Sequence, residues 1–385
     1  MIVNKSKLFF SYLKILILSK WDFKKIEKKK FLLVDGSYNP FLKYYNEKDF
    51  NIIYRRGESI NTRVLLKCIL NFNVTSLNYY RHFIKLADPK LIFTAFDYLP
   101  IFYKLSKLSG VKTFMLQKGQ RTKSDGIMQN KTIKNLKEES RKKPFFVDYI
   151  FLYNKFTSNF YKKLIKGRYL NIGSFENNFE KIKFSKQKNE IVFISNFKID
   201  KNKKLLSNCE NDNLLVHNLH KLAISKKIKF SILPKQIKKK KNLDEFLFFK
   251  NLLKKNFIFI KKKRHNSNKI INKYKYVFCT YSSLGRENLS KGGRSGFIFF
   301  KSRNNPTRHF RFGSLEKLPQ QGYFWTTKEK FDLNELKRVF NFVIKSNEKI
   351  WKSKSKLVAK KMLEFNYNNK VFRSIVKKEL NNKVN

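Results

Sequence analysis

The chain has 385 residues, with 86 Lys and Arg against 28 Asp and Glu, a formal net charge of +58. Apolar residues make up 42% and aromatics 16%, including 40 Phe and 18 Tyr. That apolar load excludes a disordered basic tail and supplies the core of two ordinary domains.

Cys68, Cys209 and Cys279 lie far apart, with no CxxC. This spacing argues against a disulfide framework or a Cys-based zinc module, and for a reducing compartment. The charge fits a polyanion partner, either nucleic acid or an anionic membrane surface. It equally fits AT-rich codon usage, because Lys, Asn, Ile, Phe and Tyr are abundant together and Lys is spread everywhere. The position of each cation is therefore more informative than the total.

Residues 1–25 form a basic N-terminal segment. Its apolar stretch Leu8–Leu18 is short and holds Lys14, whereas a spanning helix needs about 20 apolar residues. Lys20-Trp21-Asp22 follows instead of a small-residue cleavage site. Two readings stand: a cationic amphipathic helix lying on an anionic membrane, or a first helix packed on its own domain. No other uncharged apolar run reaches spanning length, so the expected location is cytoplasmic, with peripheral attachment at the inner face of the membrane.

From Lys30 onward, short apolar runs alternate with helix-like segments. The runs at 31–36, 50–55, 91–96, 111–117, 149–153 and 169–173 read as strands of a parallel sheet covered on both faces. The segment 177–189 is polar and Lys-rich and reads as a linker. The pattern then restarts with runs at 191–195, 230–234, 257–260, 276–280 and 296–300, and helices over 214–229 and 244–255. The lysine run of 237–241 reads as a solvated loop, and the chain past Asp332 as helical. The expected class is α/β: two Rossmann-like doubly wound domains facing a cleft, with C-terminal helices packing back. The expected boundaries are 26–178, 179–345 and, for the C-terminal helices, 346–385.

In open α/β sheets, ligands sit beyond the carboxyl ends of strands. Thr280-Tyr281-Ser282-Ser283-Leu284-Gly285-Arg286-Glu287 runs from a strand through Ser-Ser-x-Gly into a helix. Backbone N–H groups there, with Ser282, Ser283 and a flexible Gly285, make a phosphate cradle. Glu287, one turn on, can bind a ribose hydroxyl pair, or simply follow an ordinary Ser N-cap. His217 and His220 stand three apart on a predicted helix with no third ligand near, which favours a packed or solvated pair over a metal site. His265 follows a strand in Arg264-His265-Asn266-Ser267 and is a candidate for base stacking or phosphate contact.

The Ser282–Glu287 segment resembles the S-T-L-G-Y-E motif of a family of bacterial surface-carbohydrate biosynthesis proteins with GT-B-type glycosyltransferase architecture. Other pieces are similar in the same order. They are Arg56-Gly57-Glu58 (R-G-E), Asp97 with Phe102-Tyr103-Lys104-Leu105-Ser106 (D-N then F-Y-x-L-S), and Gln117-Lys118-Gly119-Gln120-Arg121 (Q-N-G-x-R). Gly173-Ser174-Phe175-Glu176-Asn177-Asn178 (G-S-x-x-N-N) and Gly322-Tyr323-Phe324-Trp325 (G-x-F-W) follow. The chain departs from the pattern at Tyr281, Arg286 and Lys118, where the family has Asp, Tyr and Asn.

The resemblance implies a nucleotide sugar on the C-terminal domain and a glycan or lipid-linked acceptor on the N-terminal one. Helix N-termini and basic side chains would stabilise the leaving diphosphate, with no metal or other cofactor. The expected donor-binding residues are Ser282, Ser283, Gly285, Glu287, Lys235, His265 and Ser195. Asp97, at a strand end, is the expected general base, and Gln117 and Arg121 are expected to hold the acceptor or a phosphate. Two other readings remain: a nucleotide-sugar epimerase on the same scaffold, and a non-enzymatic basic protein binding nucleic acid or membrane. The aromatics lie mostly inside strand-like runs and no nucleic-acid motif is present, so no specific nucleic-acid partner is expected.

Overall fold

A computed structural model describes residues 17–55, 58–119, 121, 130–197, 210–263, 266–280, 282–300 and 318–381. The first half carries β1 (Lys20–Asp22), β2 (Phe31–Val34), β3 (Phe50–Ile53), β4 (Ser59–Asn61), β5 (Leu91–Thr94), β6 (Lys112–Leu116), β7 (Phe145–Leu152) and β8 (Ile165–Asn171). Six of these form one parallel sheet in the order β3-β2-β5-β6-β7-β8, while β1 and β4 make a separate parallel pair. Strands β2 and β5 are buried at every position, as their unbroken apolar runs require of a sheet covered on both faces.

The second half carries β9 (Lys188–Ile194), β10 (Phe230–Leu233), β11 (Ile258–Phe259), β12 (Tyr274–Cys279), β13 (Arg294–Phe300), β14 (Gln321–Gly322) and β15 (Trp325–Lys328). They form a second sheet in the order β11-β10-β9-β12-β13-β15-β14, parallel except for β14. Each sheet has a topological switch point, between β2 and β5 in the first and between β9 and β12 in the second. Crevices open at such points, outside the strand carboxyl ends.

The chain crosses between the two sheets twice, at 172–178 and at 363–369. Gly173 forms a bridge with Phe365. Its φ is +80° and a Cβ there would stand 1.8 Å from the Glu364 carbonyl oxygen, so only glycine lets the crossings touch. Asn178 and Asn369 are fully buried and joined side chain to side chain at 2.8 Å. The segment from 177 that reads as a polar linker thus begins as a buried hydrogen-bonded seam.

The C-terminal helix Lys370–Asn381 returns to the first sheet, where Phe372 packs against Phe41, Phe93, Phe114, Phe151 and Phe175. Trp351, on the helix Glu348–Met362, packs instead with Phe324 in the second core. The lysine run is not a free loop, since Lys239 opens the helix Lys239–Leu253. His220 is buried, its Nε2 3.0 Å from the Asn256 carbonyl oxygen and its ring edge-on to Phe230. This is a packed histidine. Among the described residues, no helix is long and apolar enough to cross a membrane.

Candidate active site

The carboxyl ends of the first sheet face the Ser283–Ser290 helix of the second across a cavity of about 390 Å³. From the first half it is lined by Tyr38, Ala95, Gln117, Lys118, Gly119 and Tyr153, and from the first crossing by Ser174 and Glu176. From the second half come Ile237, Asn268, Ser283 and Glu287.

The Gln117–Gly119 turn is fixed on both sides. Gln117 Oε1 accepts from the Tyr153 N–H at 2.7 Å, and its Nε2 donates to the Gly119 carbonyl at 2.9 Å. The Gly119 N–H donates to the Tyr153 hydroxyl at 3.0 Å. The Lys118 ammonium lies over the rings of Tyr38, at 4.4 Å, and Phe96, at 4.1 Å. Two aromatic faces thus hold one cation at the cavity wall.

Opposite, the Ser282 side chain caps the Ser283–Ser290 helix by accepting from the Leu284 N–H at 3.3 Å, which leaves Ser283 facing the cavity. Glu287 is buried and accepts hydrogen bonds from the side chains of Ser174 and Asn268. Burial raises its carboxyl above the ordinary glutamate value, against those bonds and the Lys291 charge. Burial in turn pushes the Lys291 ammonium down to about 8, opposed by Glu287 and Glu180. Ser174 also hydrogen-bonds the Tyr153 hydroxyl. A hydrogen-bonded chain therefore runs Gly119, Tyr153, Ser174, Glu287 from one wall to the other. Glu176, at the mouth, has its carboxyl raised by desolvation. The buried Asn268 Oδ1 has no partner among the described residues.

Of the residues expected from sequence, the fold brings Gln117, Ser283 and Glu287 to this cavity. Asp97 does not line it. It is fully buried, gripped through both oxygens by Arg121, with Nε to Oδ2 at 2.7 Å and Nη2 to Oδ1. Asp97 also accepts from the Lys118 N–H at 3.0 Å and the Tyr161 hydroxyl at 2.6 Å. A carboxylate so occupied has no lone pair to offer an acceptor hydroxyl, so the reading of Asp97 as base and Arg121 as ligand clamp is corrected. The pair anchors the turn that carries Lys118.

Gly285 is not a flexible element of a cradle. A Cβ there would stand 2.5 Å from Cys279 Sγ and 3.1 Å from Phe297, so glycine seats the helix on β12 and β13. Ser195 is buried, its Oγ accepting from the Phe197 N–H at 3.1 Å and its side chain bonding Glu245. Glu245 accepts from the N–H groups of Lys235 and Gln236 at 2.9 and 2.8 Å. Ser195 and Lys235 thus shape the loop that brings Ile237 to the cavity and do not line it themselves. His265 lies outside the described residues. Arg294, at the opposite end of β13, holds the C-terminal helices through Val343, Ser346 and Glu348.

Sequence reasoning missed Tyr153 and Asn268 as site residues, and treated Lys118, Ser174 and Glu176 only as letters of a motif. Tyr153 and Lys118 stand at the end of an apolar run, and Ser174 and Glu176 at the crossing; Asn268 carries no such signal.

Residues 114–380 match a family model described as "putative O-antigen biosynthesis protein". The chain belongs to this O-antigen biosynthesis family. Among solved structures, this O-antigen-family chain is similar to a variant of the wall teichoic acid polymerase TagF, at 12% identity and a TM-score of 0.52, covering 91% of this chain and 88% of that one. Acinetobacter baumannii MurG aligns at 9% identity and a TM-score of 0.47, over 91% and 99% of the two chains. The TagF likeness establishes the two-domain, GT-B-type fold. No curated protein sequence matches significantly.

Proposed function

We propose that this chain is a glycosyltransferase of cell-surface polysaccharide biosynthesis. It transfers a sugar from a nucleotide-sugar donor to a glycan or lipid-linked acceptor, with 179–345 binding the donor and 26–178 the acceptor. The observation that carries the reading is the shared cavity, where Ser283 and Glu287 face the Gln117–Gly119 turn. On this reading the Ser283 N–H at the helix start and the Lys118 ammonium receive the diphosphate, as helix N-termini and cations stabilise leaving phosphates. Glu287 and Asn268 Oδ1 accept hydroxyl hydrogens of the ribose or sugar. No resident metal is invoked.

Glu176 is the carboxylate in this arrangement that can take the acceptor proton. It lines the cavity and no ion pair occupies it among the described residues, so its oxygens are open to an acceptor hydroxyl. The epimerase reading uses the same nucleotide-sugar pocket and differs in needing no acceptor. A thermal-shift screen against nucleotide sugars and free nucleoside diphosphates tests the proposal. Stabilisation by at least one nucleotide sugar, abolished in Glu287→Ala, is expected. A shift retained in Glu287→Ala, or no shift with any of them, refutes it.

A further inference from the structure

A second cavity opens at the outer edge of the first sheet, where β3 is the edge strand. Its volume is about 370 Å³, within the roughly 300–1,000 Å³ of small-ligand sites. It shares no lining residue with the cavity between the two halves. One wall is β3 itself with Tyr54. The others are the segment 22–29, β4, and Tyr79 and Phe83 of the helix Ser76–Ala87.

The edge strand brings open backbone groups to this cavity. The Asp35 N–H donates to the Ile53 carbonyl at 2.9 Å. Ile53 and Asn51 therefore turn their backbone groups toward β2, and the alternation along a strand turns those of Ile52 outward. Neither the N–H nor the carbonyl of Ile52 meets a hydrogen-bond partner on that side among the described residues. An open edge of this kind ordinarily invites an added strand. Here two hydrogen bonds close it. Asn51 Nδ2 donates to the Glu27 carbonyl at 2.8 Å, and Asn61 Nδ2 to the Lys24 carbonyl at 2.9 Å. Residues 24–27 are thus pinned at both ends beside the strand. A long peptide has no passage through such a slot, whereas a compact ligand fits.

The lining is nearly balanced in charge, in a chain where Lys and Arg outnumber Asp and Glu by 86 to 28. Lys24, Lys25 and Lys29 stand with Asp22 and Glu27, and Lys29 and Glu27 already pair at 3.7 Å. Donors and acceptors are mixed. The ammonium groups of Lys24 and Lys25, the Ser59 hydroxyl and the Ile52 N–H donate, while Asp22 and the Ile52 carbonyl accept. The Tyr79 hydroxyl accepts from the Asn61 N–H at 2.8 Å, which leaves its own proton for a ligand. A phosphate calls for donors alone. A ligand built of hydroxyls, each both donor and acceptor, calls for this mixture. The half-buried rings of Tyr54 and Tyr79, beside the buried Phe83, offer apolar surface to the C–H face of a pyranose.

We propose that this slot is a second carbohydrate site, holding one neutral sugar unit away from the reaction. A sugar held here needs no transferase chemistry, so the site stands apart from that reading.

Saturation-transfer NMR on the full chain tests it, with glucose, galactose, mannose, rhamnose and N-acetylglucosamine as probes. At least one sugar should receive saturation, in the wild type and equally in Glu287→Ala, which alters only the other cavity. Lys24→Ala with Lys25→Ala, both at exposed positions, should weaken the effect several-fold without lowering the melting temperature. Ser59→Phe, which fills the slot, should abolish it; if that variant melts below the wild type, the double alanine variant alone decides. Saturation unchanged in these variants, or none with any of the sugars, overturns the proposal. Loss in Glu287→Ala would put the sugar in the other cavity, and displacement by inorganic phosphate would make the slot an anion site. Either result also overturns it.

Discussion

Arg121 holds both carboxylate oxygens of Asp97 beneath the Gln117–Gly119 turn, and the pair is almost fully sealed from solvent. A buried ion pair broken on one side leaves an uncompensated charge costing about 3–5 kcal/mol. Asp97→Asn should therefore lower the free energy of unfolding by that order, measured by chemical denaturation. With Arg121→Met in addition, the loss should be less than the sum of the two single losses. Full stability with lost turnover in Asp97→Asn would instead make it the base.

Glu176→Gln should behave in the opposite way. Its carboxyl has no ion pair among the described residues and sits at the cavity mouth, so the melting temperature should hold. Turnover in an acceptor-dependent assay should fall about 10²–10⁴-fold, with donor binding unchanged. Unchanged turnover would remove Glu176 from the chemistry.

Gly285→Ala should cost about 1–3 kcal/mol by overpacking, because the new methyl meets Cys279 Sγ at 2.5 Å. Urea denaturation measures it. If the loss appeared in nucleotide binding with stability untouched, Gly285 would belong to the ligand site after all.

Lys291 gives a pH signature. Its ammonium is held down to about 8 in the fold, against 10.5 ordinarily, so between those values the unfolded chain binds more protons. Stability due to this group must rise as pH rises through that window. The stability of the wild type relative to Lys291→Met should therefore climb from pH 8 toward 10, by chemical denaturation. A flat difference would show that the ammonium is not desolvated.

The sheets were legible in sequence because most of their strands are buried on both faces and read as unbroken apolar runs. Phe31–Val34 and Leu91–Thr94 show this most plainly. Trp325–Lys328 escaped because Thr-Thr-Lys dilutes the run, although the register on β13 is regular. At the site, Ser283 and Glu287 were legible because a capped helix after a strand is a local pattern. Asp97 misled for a related reason. A carboxylate at a strand end looks the same in sequence whether it faces a ligand or Arg121, and only long-range packing decides. Ser174 and Asn268 matter through contact with a residue over a hundred positions away or on another helix, which local spacing does not encode.

The central claim is that one nucleotide sugar bridges both walls of the cavity. Amide hydrogen exchange, with the nucleotide sugar that gives the largest thermal shift, tests it most directly. Binding should slow exchange in both 117–119 and 283–287. Protection confined to one of these segments, or appearing only outside the cavity, would contradict the account.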